Sequence, residues 1–369
     1  MQMEIDFGAR KALGRASGKA IASLLLLALR KNSILLFLVL SYYFSALMIG
    51  AYTATPVNTL SPTILLLMLA SLVPLFLASM IIWRFAYMAT SVRPAKPISW
   101  LIRDFKQTIL MDYQRLLSGG IAIVAIIFFA AVFAYVKEAI PQLNPFAWDE
   151  TFARMDQQVH GGVDPYLLLS PIFANATMIR IFDVAYSAWF LLIYFFAFVA
   201  CMDREHPMRR NAYLIAFTLT WIVGGSIFAT FFSSVGPIYF HDFGLGDQFL
   251  PLKEMLLNFT EQQPLLAVEM QTRLLQSHQS NTGIGGISAM PSMHLATSWV
   301  MAFHSFRYST KLGWVMVGFA VVIQLGSIML GWHYAIDGYA GFLVAVACWF
   351  SGVKLSQFQS RIDRPVARP

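Results

Sequence analysis

Two histidines and one aspartate are the residues of this sequence best placed to do chemistry. His294 ends the segment Met-Pro-Ser-Met-His, and His333 and Asp337 lie in the segment Gly-Trp-His-Tyr-Ala-Ile-Asp-Gly. His333 and Asp337 are four residues apart, so on a helix they share one face and can form a hydrogen bond. Two imidazoles and a carboxylate can perform nucleophilic and acid–base chemistry. The same set of ligands can also bind a metal ion such as zinc.

The two histidines have to be brought together by the chain between them. The 38 residues that separate them are mostly apolar, and this length suffices for two membrane-spanning helices of about 20 residues each. Such a helix pair leaves and returns to the same membrane face. The spacing therefore predicts that His294 and His333 lie at one depth on one side of a membrane.

The composition of the whole chain agrees with a membrane protein. Of its 369 residues, 58% are hydrophobic and 12% are charged, whereas soluble domains carry about 25% charged residues. We predict an all-α, polytopic membrane helix bundle of about eight spans, within a range of six to eight. By length and apolarity the spans are 33–53, 62–83, 119–136, 182–202, 211–232, 293–309, 312–332 and 334–354.

The remaining chain is assigned around these spans. Residues 1–31 are basic, and their apolar stretch is too short to span a membrane, so we expect an interfacial segment. The outward segments 137–181 and 233–292 should contain short interfacial helices. The other predicted domains are N-terminal transmembrane helices (32–136), a catalytic transmembrane domain (137–354) and a basic cytoplasmic tail (355–369).

The distribution of positive charge predicts the orientation. With eight spans, 21 of the 26 Lys and Arg residues lie on the side of the two termini. The positive-inside rule then places both termini in the cytoplasm. The histidines face the periplasm if this is a bacterial inner-membrane protein, or a lumen in a eukaryote. The net charge of +7 is thus explained by topology, and no nucleic-acid partner is expected. The five outward cations are Lys137, Arg154, Arg180, Lys253 and Arg273.

The two polar segments resemble known signature motifs. The runs PSMH and GSIMLGWHYAIDGYAG are similar to the second and third motifs of the type-2 phosphatidic-acid phosphatase superfamily. The resemblance implies a metal-free phosphohistidine mechanism without a cofactor. In that mechanism His333 is the nucleophile, Asp337 orients it, and His294 donates a proton to the leaving oxygen.

The sequence also departs from the superfamily pattern. The third motif usually carries Ser-Arg at the positions of Gly326 and Ser327. The first motif, a Lys followed seven residues later by Arg-Pro, is not identified, since Arg93-Pro94 has Ala86 in place of the Lys. The pattern is similar to the inositol phosphorylceramide synthase branch. That likeness extends to the runs NPFAWD from Asn144 and GPIY from Gly236, to Asp156 and to Gly161-Gly162.

The phosphate needs groups that hold its oxygens. Pro291 suits the first turn of a helix, so free backbone N–H groups near Ser292, Met293 and His294 can bind phosphate. Among the outward cations, Arg273 and Lys253 flank the histidines in the sequence and are the predicted phosphate-binding side chains.

Three other carboxylates have two interpretations each. Asp149 and Asp156 either cap short helices or take part in function. Asp183 is either a satisfied interior carboxylate or a substrate contact. The sequence does not decide between these interpretations.

Three classes of function are compatible with these residues. The first is a lipid phosphotransferase that moves a phosphorylated head group, of the inositol-phosphate type, from a phospholipid to a lipid hydroxyl such as that of ceramide. The second is a phosphatase acting on a phosphatidate, a phosphatidylglycerophosphate or a polyprenyl pyrophosphate. The third is a non-enzymatic transporter or scaffold, although inverted repeats and broken mid-membrane helices are not evident. We favour an enzyme whose partners are membrane lipids, with no required protein partner.

Overall fold

The computed structural model describes residues 18–55, 57, 62–107, 112–203, 206–280 and 286–363. Within these ranges the chain is helical and contains no strand, which confirms the predicted all-α bundle. The predicted interfacial segment 1–31 is described only from Gly18, and the predicted tail only to Asp363. The helices are α1 (Gly18–Lys31), α2 (Ser33–Thr53), α3 (Pro62–Tyr87), α4 (Pro97–Phe105), α5 (Tyr113–Leu143), α6 (Asp149–Val159), α7 (Pro165–Phe173), α8 (Ala176–Met202), α9 (Pro207–Ile222), α10 (Leu250–Gln262), α11 (Leu266–Ser280), α12 (Met293–Ser305), α13 (Thr310–Met329) and α14 (Ala335–Ile362).

Seven helices of the described chain are long and apolar enough to cross a membrane. The remaining predicted span, 293–309, corresponds to the helix α12 of 13 residues, which at 1.5 Å per residue is only about 20 Å long. A hydrocarbon core is about 30 Å thick, so α12 alone is too short to span it. The long helices are α2, α3 with its π-helical extension to Val92, α5, α8, α9 continued to Phe231, α13 and α14.

The two described ends of the chain meet at one end of the bundle. The Gln359 amide near the end of α14 donates to the Arg30 carbonyl at 2.8 Å, and its oxygen accepts from the Ser33 hydroxyl at 3.0 Å. The two described ends therefore lie at the same end of the bundle. The assignment of both termini to the cytoplasm stays a prediction.

Small residues let the central helices approach closely. A Cβ atom added to Gly352 of α14 would lie 2.6 Å from the Ala212 carbonyl oxygen of α9 and 2.8 Å from the Ala216 side chain. Membrane helices commonly use small residues for such contacts, because backbones can then pack at short distance. This contact fixes α14 against α9 and thereby the height of the residues at its N-terminus.

The end of the bundle opposite the chain ends is covered by the two outward segments. The first carries α6 and α7, and the second carries the 3₁₀ turn Pro237–Tyr239 followed by α10 and α11. The predicted short helices of these segments are thus present. The helices α12 and α14 begin beneath them, so their first turns are where His294 and His333 lie.

Candidate active site

The first turn of α14 holds the histidine–carboxylate pair. The N–H of Tyr334 donates to Asp337 Oδ2 at 3.1 Å, which closes a capping box at the start of the helix. The same oxygen lies 3.3 Å from His333 Nδ1. A proton on Nδ1 that donates to this carboxylate leaves the lone pair on Nε2, which is the nitrogen required for attack on phosphorus. Both residues are buried, His333 at 7% exposure and Asp337 at 0%.

The backbone before α14 is fixed from the preceding helix. The N–H groups of Trp332 and His333 both donate to the Ser327 carbonyl at the end of α13, at 2.9 and 3.2 Å. Ser327 occupies the position where the superfamily motif has an arginine. Its own hydroxyl donates to the Gln324 carbonyl. The residue therefore shapes the turn that carries His333 and supplies no charge.

Asp156 and Asp149, both on α6, hold the start of α14. The Asp156 carboxylate accepts from the N–H groups of Ala335 and Ile336 at 2.7 and 3.0 Å. Asp149 accepts from the Tyr334 hydroxyl at 2.9 Å and from the N–H groups of the loop before Pro237. Burial raises the pKa of both carboxyls, and these hydrogen bonds oppose that shift. Asp156 thus caps the long helix α14 and Asp149 binds a loop and Tyr334, so neither caps a short helix; a direct part in function stays a prediction for both.

The two motifs are joined by one backbone hydrogen bond. The N–H of Ser292 donates to the Asp337 carbonyl at 3.0 Å. This approach requires a glycine on α14, because a Cβ atom at Gly341 would lie 2.7 Å from the Ser292 carbonyl oxygen. The Ser292 hydroxyl caps α12 by accepting from the Leu295 N–H at 3.5 Å. Ser292 is thus a structural link between α12 and α14.

The N-terminus of α12 retains free donors. With the Ser292 N–H bonded to Asp337, the N–H groups of Met293 and His294 have no partner among the described residues. Orphan N–H groups in the first helical turn favour an anion, through their own hydrogen bonds and the helix dipole. Two of the three predicted backbone donors are therefore available to phosphate.

The His294 ring lies between aromatic side chains. Its centroid is 4.1 Å from that of Tyr186 and 4.0 Å from that of Trp189, both on α8. The Trp189 indole N–H donates to Thr297 of α12 at 3.0 Å, which fixes this arrangement. His294 Nε2 is buried and has no hydrogen-bond partner among the described residues. His294 and His333 belong to adjoining helix starts, because the Ser292 N–H beside His294 donates to the carbonyl of Asp337 at 3.0 Å.

Tyr186 touches both halves of the site. Its ring stacks on His294 and lies parallel to the Trp332 ring beside His333, with the two centroids 6.2 Å apart. The side chain is 6% exposed, and its hydroxyl has no hydrogen-bond partner in the described part of the chain. Buried hydroxyls are normally hydrogen-bonded, so this donor is a candidate for binding a ligand between the two histidines. The sequence analysis did not identify Tyr186, because nothing in its local sequence distinguishes it from other tyrosines of apolar spans.

Lys137 is the cation that the structure places beside the segment leading into His294. It lies near the end of α5. Its backbone contacts the loop before α12, where Gly286 leaves no room for a Cβ atom beside the Lys137 carbonyl. The signal was present in the sequence: Lys137 is followed seven residues later by Asn144-Pro145. This is the spacing of the superfamily's first motif with Asn in place of Arg, so the complete motif is still absent and Lys137 matches the position of its lysine.

Asn144, at the position of the motif arginine, is neutral, and its side chain makes a structural hydrogen bond. Its amide donates to the Thr230 carbonyl at 2.8 Å, at the end of the helix that continues from α9. The position of the motif arginine therefore ties α5 to its neighbour. Lys137 is left as the cation of this motif.

The predicted phosphate-binding side chains Arg273 and Lys253 are engaged elsewhere. Arg273 is exposed on α11 and forms an ion pair with Glu269 at 2.6 Å. Lys253 on α10 forms an ion pair with Asp242 at 2.6 Å. Among the contacts of the described residues, neither cation reaches His294 or His333. Their predicted role stays untested, and their placement does not support it.

Of its two interpretations, a satisfied interior carboxylate and a substrate contact, Asp183 shows the contacts of the first. It is fully buried and accepts from the N–H groups of Leu266 and Ala267 at 3.0 and 2.8 Å, which caps α11. Arg180 lies beside it at 3.4 Å.

Within the described ranges no three His, Cys, Asp or Glu side chains are grouped so that they could hold a metal ion. The geometry gives the zinc alternative no support.

Comparison with known proteins agrees with this site. A sequence profile described as the PAP2 superfamily matches residues 150–350, more than half of the chain. The chain belongs to the PAP2 superfamily. This confirms the superfamily predicted from the motifs around His294 and His333. Membership of the PAP2 superfamily indicates a membrane-bound phosphatase or phosphotransferase.

One relative is similar to a shorter part of this chain. A protein described as PA-phosphatase related, from Dictyostelium discoideum, is 28% identical over 78 residues, which are 21% of this chain and 14% of the relative. The chain thus corresponds to a small part of that relative. No solved structure matches this PAP2 chain.

Proposed function

We propose that this PAP2 protein is a lipid phosphotransferase that acts on a phosphodiester, moving a phosphorylated head group from a phospholipid to a lipid hydroxyl such as that of ceramide. The observation that carries the proposal is the low positive charge around the histidines. Both arginine positions of the superfamily motifs hold neutral residues, Asn144 and Ser327, and Lys137 remains. A phosphomonoester carries a charge of about −1.5 to −2 near neutral pH, whereas a diester carries only one negative charge. A single cation matches the diester.

The proposed first step forms a phosphohistidine. His333 Nε2 attacks phosphorus while the Asp337 carboxylate stabilises the positive charge that develops on the ring. The P–O bond to the diacylglycerol oxygen breaks, and the proton on His294 passes to that oxygen. The N–H groups of Met293 and His294, with Lys137, hold the non-bridging oxygens.

The second step reverses these roles with a new alcohol. His294, now neutral, removes the proton of the acceptor hydroxyl as its oxygen attacks the phosphohistidine. The P–N bond breaks, and His333 regains its lone pair. The aromatic walls of His294, formed by Tyr186 and Trp189, support a lipid acceptor over water, because an apolar surround favours an alcohol that carries a hydrocarbon chain.

The test compares donors and acceptors in one preparation. Purified protein in mixed micelles receives labelled phosphatidylinositol or labelled phosphatidate, each with and without ceramide or diacylglycerol. We expect label from the diester to appear on the added lipid alcohol, with turnover that depends on that alcohol, and slower release of phosphate from phosphatidate. His333→Gln is the control for contaminating enzymes. Faster reaction of phosphatidate with water as the acceptor would reject the phosphotransferase in favour of the phosphatase.

The lipid phosphatase remains the second candidate, favoured by the printed name of the Dictyostelium relative. Its substrate would be a phosphatidate, a phosphatidylglycerophosphate or a polyprenyl pyrophosphate. It shares the first step, so trapped phosphohistidine with no lipid product identifies it. If no donor gives either a phosphohistidine or a product, the remaining candidate is the non-enzymatic transporter or scaffold.

We also propose that the histidines face the periplasm, or a lumen in a eukaryote, because the span order inferred from sequence assigns 21 of the 26 Lys and Arg residues to the other side. Cysteine labelling can test this against little background, since Cys201 and Cys348 are both buried. His206 and His241 are exposed at opposite ends of the bundle. We expect an impermeant maleimide to label His241→Cys and not His206→Cys in intact cells. The reverse pattern would invert the topology.

A further inference from the structure

A second polar centre lies at the end of the bundle opposite the histidines. The guanidinium of Arg210, at the start of α9, is 6% exposed. It donates to the side-chain oxygens of Asn32 and Asn211 at 2.6 and 2.7 Å, and to the carbonyls of Cys201 and Ser118 at 3.3 Å. All four acceptors are neutral. A buried charge is normally paired with an opposite charge, so this arginine points to an anion.

The nearby carboxylates have other partners. Asp203 and Asp363 act on Arg210 only from a longer distance. Asp203 forms an ion pair with Arg209 at 2.7 Å and accepts from the His206 N–H at 3.1 Å. Asp363 accepts from the Gln359 amide at 3.0 Å. The local charge of Arg210 is therefore not balanced by direct contact with either group.

A cavity of about 420 Å³ opens beside Arg210. Two further cations, Lys31 and Arg115, line it, together with polar side chains such as Gln114 and Ser360. Arg115 also lies 3.4 Å from Asp112. The volume falls in the range of about 300–1,000 Å³ that is typical of ligand sites. The lining holds three cations, Arg210, Lys31 and Arg115, and two carboxylates, Asp203 and Asp363, so its net charge is positive and fits a phosphate group.

An apolar cleft adjoins this cavity. It has a volume of about 480 Å³ and shares Arg115, Met202 and Asp203 with the cationic cavity. Its remaining wall is formed largely by apolar side chains of α3, α5 and α8, among them Phe76, Leu77, Met80, Ile123 and Phe198. A cationic chamber next to an apolar cleft has the two-part chemistry of a phospholipid.

We infer that these two cavities bind one anionic phospholipid, with its phosphate beside Arg210, Lys31 and Arg115 and an acyl chain along the cleft. The site lies at the end where Gln359 contacts Arg30, so the lipid would link α1, α5 and α9 to the end of α14. If the termini are cytoplasmic, this is the leaflet that carries the anionic lipids of a cell. The inference is independent of the proposed activity, because it concerns binding and stability at a separate site.

The experiment measures stability and retained lipid on the full chain in a non-ionic detergent. Dioleoyl-phosphatidylglycerol, dioleoyl-phosphatidylcholine or inorganic phosphate is added, and the Tm is followed by scanning fluorimetry. We expect phosphatidylglycerol to raise the Tm by several degrees, since a ligand that binds only the folded state stabilises it, and to be retained in native mass spectra. Equal shifts with phosphatidylcholine, or with phosphate alone, would overturn the inference.

Two pairs of substitutions locate the site. Lys31→Gln with Arg115→Gln removes two cations from the cavity, and Arg307→Gln with Lys311→Gln removes two exposed cations from the same end outside it. Loss of charged hydrogen bonds should weaken phosphatidylglycerol binding roughly tenfold or more in the first pair and little in the second. Equal losses in both pairs would mean general surface attraction and no site. Met80→Trp narrows the cleft without changing its charge, and it gives a second test if the first pair fails to fold. Undiminished lipid retention in the Met80→Trp variant would contradict the placement of the acyl chain.

Discussion

His333 and His294 occupy the starts of neighbouring helices, yet their surroundings differ in kind. His333 is held by a carboxylate, by a backbone bond to Ser327 and, through Tyr334, by Asp149. His294 is held by stacking between Tyr186 and Trp189, and its Nε2 has no partner among the described residues. Hydrogen bonds select one tautomer and one ring orientation, as a nucleophile requires. Aromatic faces position a ring without fixing its protonation state, as a proton donor and acceptor requires.

The largest effect is expected from removing the fixed histidine. His333→Gln should abolish phosphohistidine formation with every donor, because no other side chain replaces the attacking nitrogen. Asp337→Asn should keep the helix cap in shape yet lower turnover by about 10⁴-fold, the loss seen when the equivalent carboxylate of a serine-protease triad is changed. Acid-labile phosphoenzyme, trapped with labelled donor, is the measurement. Normal labelling of His333→Gln would move the nucleophile elsewhere.

The next largest effect tests the stacked histidine. His294→Gln should lower turnover by about 10²–10⁴-fold with a phospholipid donor, whose alkoxide leaving group needs a proton. With a p-nitrophenyl phosphodiester, whose leaving group needs none, the loss should be much smaller. The ratio of the two losses is measured in one preparation, so it is insensitive to expression level. Equal losses with both donors would show that the two histidines do not divide the work in this way.

A smaller effect is expected at the cation. Lys137→Gln removes a charged donor to the phosphate, a contact that contributes about 1.5–3 kcal/mol, so kcat/KM should fall roughly ten- to a hundredfold. Arg273→Ala and Lys253→Ala are the matched controls, because both cations are outward and ion-paired. Their kcat/KM should stay within about twofold. A large loss in the controls with none in Lys137→Gln would restore the sequence-based choice of phosphate ligands.

The smallest loss of activity is expected from a change at Tyr186, which lies beside both histidine motifs. Tyr186→Phe keeps the ring that stacks on His294 and removes the buried hydroxyl, so kcat should fall about tenfold with an unchanged Tm. Tyr213→Phe is the control, since Tyr213 is likewise buried with a hydroxyl that has no partner among the described residues and packs against His304 at 4.3 Å, away from the site. Similar losses of activity in both variants would indicate a general packing effect and exclude a role for the Tyr186 hydroxyl.

Local spacing was enough to predict the helical bundle and its chemical pair. Four residues separate His333 from Asp337, and 38 separate the histidines; both numbers translate into geometry through the helix repeat and the membrane thickness. The same reasoning overestimated the length of α12, because the apolar run from 293 to 309 suggested a full membrane span. The helix ends at Ser305 because the chain there turns into α13, and hydrophobicity alone does not report such a turn.

Tertiary structure decided which charged groups belong to the site. Arg273 and Lys253 are near His294 in sequence, but each lies on an outward helix beside a carboxylate of its own. Lys137 is more than 150 residues away in sequence, and the packing of α5 against the loop before α12 places it beside the segment that leads into His294. Likewise, Asp156 and Asp183 cap helices, and Asp149 binds a loop, through N–H groups that are distant in the sequence. Helix periodicity and span length are local properties that a sequence determines by itself, whereas the partner of a charge depends on which helices pack together.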